Sequence, residues 1–438
     1  MLRVLLVCFL IVVVVEGAIR KWVLPEYSNA AFLLKDIVLF TAFAVYLLQR
    51  RRNFPLSQDV AIWSIWALLV AGYAVIAGFS FESLVGLRYY LAPLPLVLLV
   101  PSLIQSSGDL ERVAAWAVRL SVPIGILAVV QYFSPVDSPL NTYAWGGEEG
   151  SSFGVEDEGF FSGVARPRVT ATFSYISTYA AFLSASWLLA WVSLLRGRST
   201  VDRWLAGGAL ILTAFNMGMN GSRALLLVAI ITGLPFLISL LKQLGNLRAQ
   251  LVVMGLILAV ATVGVSFFEP FALTAERGGD TEEVIERISG VLLTPYATLS
   301  EVPFFGAGIG STFGGYEQLG YRDAVAGFDE INLDRVGVEL GVVGYLLLLA
   351  LKILMIAKAI RVYFRLPPGD LRYWALAALL IQLSSYWQIP FYNAVAAIYY
   401  FCAIGLVYWL DGEAKRHRAE ARFASMQEGP GQGITARG

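Results

Sequence analysis

Apolar runs about twenty residues long recur along this chain and leave few folds open to it. A helix of that length rises about 30 Å, the thickness of a bilayer's hydrocarbon core. Twelve such runs are expected as membrane-spanning helices: Leu2–Ile19, Ala30–Leu48, Val60–Ala77, Leu84–Val100, Val113–Phe133, Thr172–Leu195, Trp204–Met219, Ala224–Leu241, Leu251–Phe267, Val336–Ala357, Tyr373–Trp387 and Phe391–Leu410. Composition agrees. Hydrophobic residues make up 58% of the chain and charged residues only 15%, against about 25% charged in a soluble domain. The expected fold is therefore all-α, a polytopic membrane helix bundle of about twelve spans. It forms one transmembrane domain over residues 1–410, followed by a disordered cytoplasmic tail over 411–438. The first run resembles a signal peptide, but the chain continues EGAIRKW with no small-residue cleavage site, so it reads as a retained span. No internal repeat is visible.

Lys and Arg in the short connections set the orientation. If both termini are inside, Arg50, Arg51, Arg52, Arg196, Arg198, Arg203, Lys242, Arg248, Lys358, Arg361, Arg365 and Arg372 are cytoplasmic. Two long segments, 134–171 and 269–335, then lie outside. The first carries six acids against Arg166 and Arg168, and the second twelve acids against Arg277, Arg287, Arg322 and Arg335. Loops this long are functional or disordered in most domains. Within the second, Val284, Ile288, Val291 and Leu292 recur at helical spacing, which predicts an amphipathic helix on the membrane face or over a cavity.

Function classes narrow in the same way. Cys8 and Cys402 both sit in apolar runs and read as packed small hydrophobes rather than a disulfide. His417 is the only histidine, and no Cys and His cluster exists that would suit zinc or haem. A carboxylate site for calcium or magnesium stays open on these grounds.

Cations on the outward side run against the charge trend and need a reason. They are Arg20 and Lys21 after the first span, Arg88 in the fourth, Arg166 and Arg168 before the sixth, Arg223 opening the eighth, and Arg287. Any one of them is accounted for by snorkelling or a surface ion pair. As a set at span ends they suit a phosphate or pyrophosphate group at membrane level, because the guanidinium fork binds phosphate bidentately. The stretch AGFDEINLDRVGVELG brings Glu330, Asp334 and Arg335 to the start of the tenth span. A carboxylate there suits proton removal from a sugar hydroxyl. Helix capping by the same acids is the plainer reading and stands first on these residues alone.

Four segments then add a resemblance. RVTATFSYISTYAAFL, GSRALLLVAIITGL, PFFGAGIGSTF and VELGVVGYLLLL resemble, in order and spacing, motifs of the O-antigen ligase and O-antigen polymerase superfamily. The likeness covers roughly residues 160–410. The opening EGAIRKWVLPE is similar to a subset of those proteins. The resemblance implies a metal-independent glycosyltransferase of a bacterial inner membrane, with no cofactor. Its substrates would be a polyprenyl-pyrophosphate-linked oligosaccharide and an acceptor glycan, and polymerisation of a surface polysaccharide is favoured. Ligation to lipid A core, or transport of a lipid-linked glycan, is the alternative. Membrane lipids and a chain-length regulator or flippase are the implied partners, and nucleic acid is not among them. Carried over by motif, Arg223 and Arg287 face the donor. Glu330 stands where the ligases place a histidine, nine residues before Glu339. The TFSYIS segment lacks the family's usual asparagine. Arg166, Arg168, Arg88, Arg20, Lys21, Asp334 and Arg335 complete the expected substrate-binding set, and Tyr316 and Tyr321 are expected to meet sugar.

Overall fold

The computed structural model describes the chain except residues 50–57, 77, 79, 142–154, 157–165, 198, 247–249, 252–303, 313–331, 386–392 and 428–438. The described residues form a helical bundle. In chain order the helices are α1 Leu2–Ala18, α2 Ser28–Phe32, α3 Leu34–Gln49, α4 Gln58–Ile76, α5 Phe81–Leu91, α6 Leu96–Leu103, α7 Ser107–Phe133, α8 Ile176–Arg196, α9 Thr200–Met219, α10 Arg223–Leu244, α11 Asn332–Arg365, α12 Asp370–Ser384 and α13 Ala394–Gln427. A π-helical turn, Ile19–Val23, and a 3₁₀ turn, Pro25–Tyr27, join α1 to α2. The described strands are a two-residue antiparallel pair, β1 Val155–Glu156 with β2 Arg166–Pro167.

Among the described residues eight helices are long and apolar enough to cross a membrane. Apolar side chains such as Val7, Leu68, Ile126 and Ile230 are exposed on the bundle's outer surface, as contact with lipid rather than water requires. Inside, two apolar clusters stack along the bundle. One gathers Phe9, Trp66, Tyr90, Phe401 and Leu340. The other gathers Trp191, Phe236, Trp374, Ala403 and Leu410. Cys8 is exposed on α1 and Cys402 is half-buried; neither forms a disulfide.

Eleven of the twelve expected spans coincide with a described helix or helix pair, and Leu251–Phe267 lies almost wholly outside the described residues. Several expected boundaries are corrected. The run Leu84–Val100 is two helices, α5 and α6, because Pro93 and Pro95 remove amide donors between them. The run from Thr172 starts its helix only at Ile176, since Ala171 takes a left-handed φ of 48° and Phe173 N closes a turn on Thr170 O. α11 begins at Asn332, so Asp334 and Arg335 belong to its first turns and not to a loop. α13 continues through Gln427, so 411–427 is helical. The residues AKRHRAEARFASMQ are good helix formers, and Arg416 holds Glu413 three residues back at 2.8 Å.

Candidate functional site

The interruption of α11 gives the site its frame. At Gly341 the backbone leaves helical geometry, with φ 64° and ψ −167°. Peptide groups freed inside a membrane bundle need new partners. The segment 304–312 supplies them: Ala307 N donates to Val338 O at 2.6 Å, Gly308 N to Glu339 O at 3.2 Å, and Val342 N to Phe304 O at 3.1 Å. Tyr73 OH donates to Leu340 O at 2.8 Å. A Cβ on Gly341 would lie 2.3 Å from Phe304 O, so only glycine allows this approach. Residues 304–308 and 338–342 are therefore paired in space.

Glu339, in that interruption, is fully buried. Its carboxylate accepts from Tyr90 OH at 3.0 Å, from Thr312 Oγ1 at 2.5 Å and from Thr312 N at 3.3 Å. Three donors on one carboxylate are what a buried acid needs to remain in the interior.

Two residues before Tyr90 on α5, and so on the far side of that helix, Arg88 enters a second constellation. Its Nε meets Asp36 Oδ2 at 2.5 Å. Glu16 on α1 accepts from Lys35 Nζ at 2.5 Å and Arg20 Nη1 at 3.4 Å. The ring of Phe32 faces Lys35 at 3.9 Å, Arg88 at 4.3 Å and Arg20 at 4.9 Å, a cation–π arrangement strengthened by exclusion of water. Arg20 also donates to Ser28 Oγ at 3.0 Å and Ser174 Oγ at 2.9 Å. Lys21 donates to Thr170 Oγ1 at 2.6 Å and Ala171 O at 3.0 Å. Arg20 and Lys35 are each 2% exposed. Three cations, Arg20, Lys35 and Arg88, thus meet two carboxylates, Glu16 and Asp36, with Lys21 beside them on Thr170 and Ala171.

The stretch 168–175 is clamped between this cluster and the turn into α10. Gly17 lies so close to Thr172 that a Cβ would sit 2.3 Å from its carbonyl oxygen. Gln131 on α7 brackets Ala171, accepting from its N at 2.8 Å and donating to its O at 3.2 Å. Asn220 donates to Val169 O and Ile176 O, and Arg168 Nε donates to Asn220 O at 3.1 Å. Thr172 Oγ1, Tyr179 OH and Asn220 Oδ1 are buried with no hydrogen-bond partner among the described residues. Polar atoms left so inside a protein are a standing cost.

Of the expected site residues, the structure brings Arg20, Lys21 and Arg88 together and sets Arg168 nearby. Arg223 is the first residue of α10, next to the turn that holds Arg168. Arg166 lies in β2, in register with Glu156. Arg335 is half-buried in the first turns of α11, where Asp334 is also placed. Glu330, Arg287, Tyr316 and Tyr321, together with the expected amphipathic helix, lie outside the described residues. Sequence reasoning did not place Glu16, Phe32, Gln131 or Asn220 in the site. Its signal for Glu16 was a carboxylate four residues before Arg20 inside an apolar run, and intramembrane ionisable residues are functional by default.

The arrangement suits an anion held at membrane level by fixed cations and hydroxyls. No known family model matches the chain, and no curated protein matches it.

Proposed function

We propose that the protein transfers a polyprenyl-pyrophosphate-linked glycan to an acceptor sugar hydroxyl, polymerising a surface polysaccharide at the periplasmic face of a bacterial inner membrane. In this reading the chain crosses about twelve times, both termini are cytoplasmic, and 134–171 and 269–335 are periplasmic. The observation that carries it is the meeting of Arg20, Lys21, Lys35 and Arg88 inside the bundle, beside the 168–175 segment and the turn into Arg223. The reaction breaks a sugar–pyrophosphate bond and forms a glycosidic bond. It calls for charge stabilisation on the departing pyrophosphate and removal of the acceptor proton. Arg223 and Arg287 take the first role, with the buried cations as supports, and Glu330 takes the second. No metal is invoked.

The test is transfer by purified protein from a lipid-linked repeat to an acceptor, scored as a gel ladder. Arg223→Ala and Arg287→Ala each lose about 2–4 kcal/mol of transition-state stabilisation. Arg→Lys restores little, because a point charge does not reproduce the fork. Glu330→Gln lowers transfer about 10²–10⁴-fold at unchanged expression. Normal ladders from all three variants would overturn the assignment of roles.

A second reading, transport of a lipid-linked glycan, is favoured by one observation. Lys352 is buried within α11, 2% exposed, and donates to Ser385 O at 2.8 Å, and ionisable residues deep in spans mark transport pathways. A transporter moves the repeat across the membrane without lengthening it, so the same assay yields no ladder.

A further inference from the structure

At the end of the bundle away from Phe32, α13 runs on past its packing. Ala414 is 1% exposed, and every residue from Lys415 to Phe423 is exposed. Helix geometry carries Arg422 about 12 Å beyond Ala414. Three cations converge on Asp411 at the base of this extension: Lys415 at 2.8 Å, and Arg365 and Lys358 of α11 at 3.6 and 3.8 Å. Arg361 is exposed and shares their face of α11, three residues after Lys358 and four before Arg365. On α13 the spacing of four and three continues from Asp411, so Lys415, Arg418 and Arg422 form one row along the helix.

Carboxylates do not cancel this row. Glu413 and Glu420 each stand two residues from a member of it, about 160° round the helix. There Glu413 holds Arg416 at 2.8 Å and Glu420 meets His417 at 3.8 Å. The other described acids at this end are engaged elsewhere. Asp109 is held by Arg3 and Arg112, Asp202 by Arg119 and Asp370 by Arg196, and Glu111 lines a cavity with Arg112 and Arg119. Lys358, Arg361, Arg365, Lys415, Arg418 and Arg422 therefore share their side of the α11–α13 seam with one described carboxylate, Asp411. Beside the row stands Phe423, 69% exposed, with Ala419 one turn before it on the same side.

We propose that this face of α13 docks an acidic helical segment of a partner protein on the same side of the membrane. Charge complementarity sets the sign of the partner. The row rises about 10 Å from Lys415 to Arg422, which a second helix matches with carboxylates at i, i+3 and i+7. An apolar side chain next to those carboxylates covers Phe423. The leaflet is the poorer match. Its field falls off within about 8 Å, so it reaches Lys358 and Lys415 but not Arg422. A polar helix standing alone gains nothing from tertiary packing, and a partner laid along 415–423 supplies the contact that the bundle does not. The inference needs only this end of the bundle and not the transfer reaction.

The experiment uses the full chain in phosphatidylcholine nanodiscs and two fluorescein-labelled, alanine-based helical peptides, read by anisotropy. One carries glutamates at i, i+3 and i+7 with a leucine beside them. The other has the same composition with the glutamates spread round the helix. The first is expected to bind about tenfold more tightly, the sum of three exposed pairs. Equal binding of the two overturns the proposal, because net charge alone then accounts for it. K415E/R418E/R422E is expected to weaken the first peptide at least about tenfold, and F423A about fivefold with every charge in place. E413Q/E420Q, on the other side of the helix, should leave it within about twofold. Wild-type affinity in the triple variant overturns the proposal. A separate arm tests the leaflet, using phenylglyoxal modification of arginines read by peptide mass spectrometry. Exchanging phosphatidylcholine for phosphatidylglycerol should slow Arg361 and leave Arg422 unchanged. Slowing of Arg422 as strong as that of Arg361 assigns the face to the membrane surface and overturns the proposal.

Discussion

At one end of the bundle the cations of the ion pairs are buried, and at the other most of them stand in water. Around Phe32, Arg20 and Lys35 are each 2% exposed and Glu16 and Lys21 each 6%, all tied by short hydrogen bonds to spans and to the 168–175 segment. At the far end Arg112, Lys415 and Arg416 expose 67%, 71% and 72% of their side chains while pairing with acids one helical turn away. The same residue types therefore perform different work. Exposed pairs contribute little, because water screens them and long side chains lose entropy on pairing. Buried pairs are costly to form and persist where geometry or function requires them. The buried end is also where the 168–175 segment and the turn into α10 meet.

The comparison first depends on which end faces the periplasm, and the expected effect is all or none. Reporter fusions at Gly147 and Gly279 should be active only with a periplasm-dependent reporter. Cytoplasmic activity at either position would exchange the two ends and remove the proposed access of the buried cluster to a lipid-linked glycan.

Much of this frame is legible in the chain. The expected runs Val113–Phe133 and Trp204–Met219 reappear as Ser107–Phe133 and Thr200–Met219, because hydropathy fixes a span's interior well and its ends poorly. The acids and cations that extend them, such as Asp109 and Asp202, are polar residues continued into helix by local bonds: Asp109 accepts from Gln105 N, and Ser199 caps Asp202 N. The Gly341 interruption was not legible. Its peptide groups are completed by residues 304–308, far along the chain, and no periodicity records such a pairing. The meeting of Arg20, Lys35 and Arg88 on one ring was equally hidden, since it depends on how α1, α3 and α5 pack. Only the outward cations, as a set, hinted at it. The described residues leave Glu330 and Arg287 where the sequence put them, as expectations.

The next effect is on stability. Glu16→Ala removes the carboxylate shared by Lys35 and Arg20 and leaves two buried cations short of their partner. Loss of one member of a buried pair costs about 3–5 kcal/mol. The expected result is a clear fall in the thermal unfolding midpoint of purified protein, read by scanning fluorimetry. Replacing Glu16 and Lys35 together by leucine should recover part of that loss, because the second change removes one of the stranded charges. If Glu16→Ala unfolds at the wild-type temperature, the cluster is wetter than its burial implies and the contrast between the two ends fails.

The smallest effect belongs to the exposed end and is the control for the rest. Asp411 meets Lys415 at 2.8 Å, Arg365 at 3.6 Å and Lys358 at 3.8 Å. Removing Lys415 leaves two cations in place, and the lost partner is one whose charge already faces solvent. Lys415→Ala should therefore change stability by less than about 1 kcal/mol. Alanine's high helix propensity offsets part of even that. Raising the salt concentration should shrink the difference further, since exposed pairs are screened within about a Debye length, whereas the Glu16→Ala loss should hold nearly constant over the same range. Both variants are measured in one detergent across one salt series. A Lys415→Ala loss as large and as salt-independent as that of Glu16→Ala would mean that the Lys415–Asp411 pair is as dry as the Lys35–Glu16 pair, although Lys415 is 71% exposed and Lys35 only 3%. The two ends of the bundle would then differ in residue content but not in electrostatic environment.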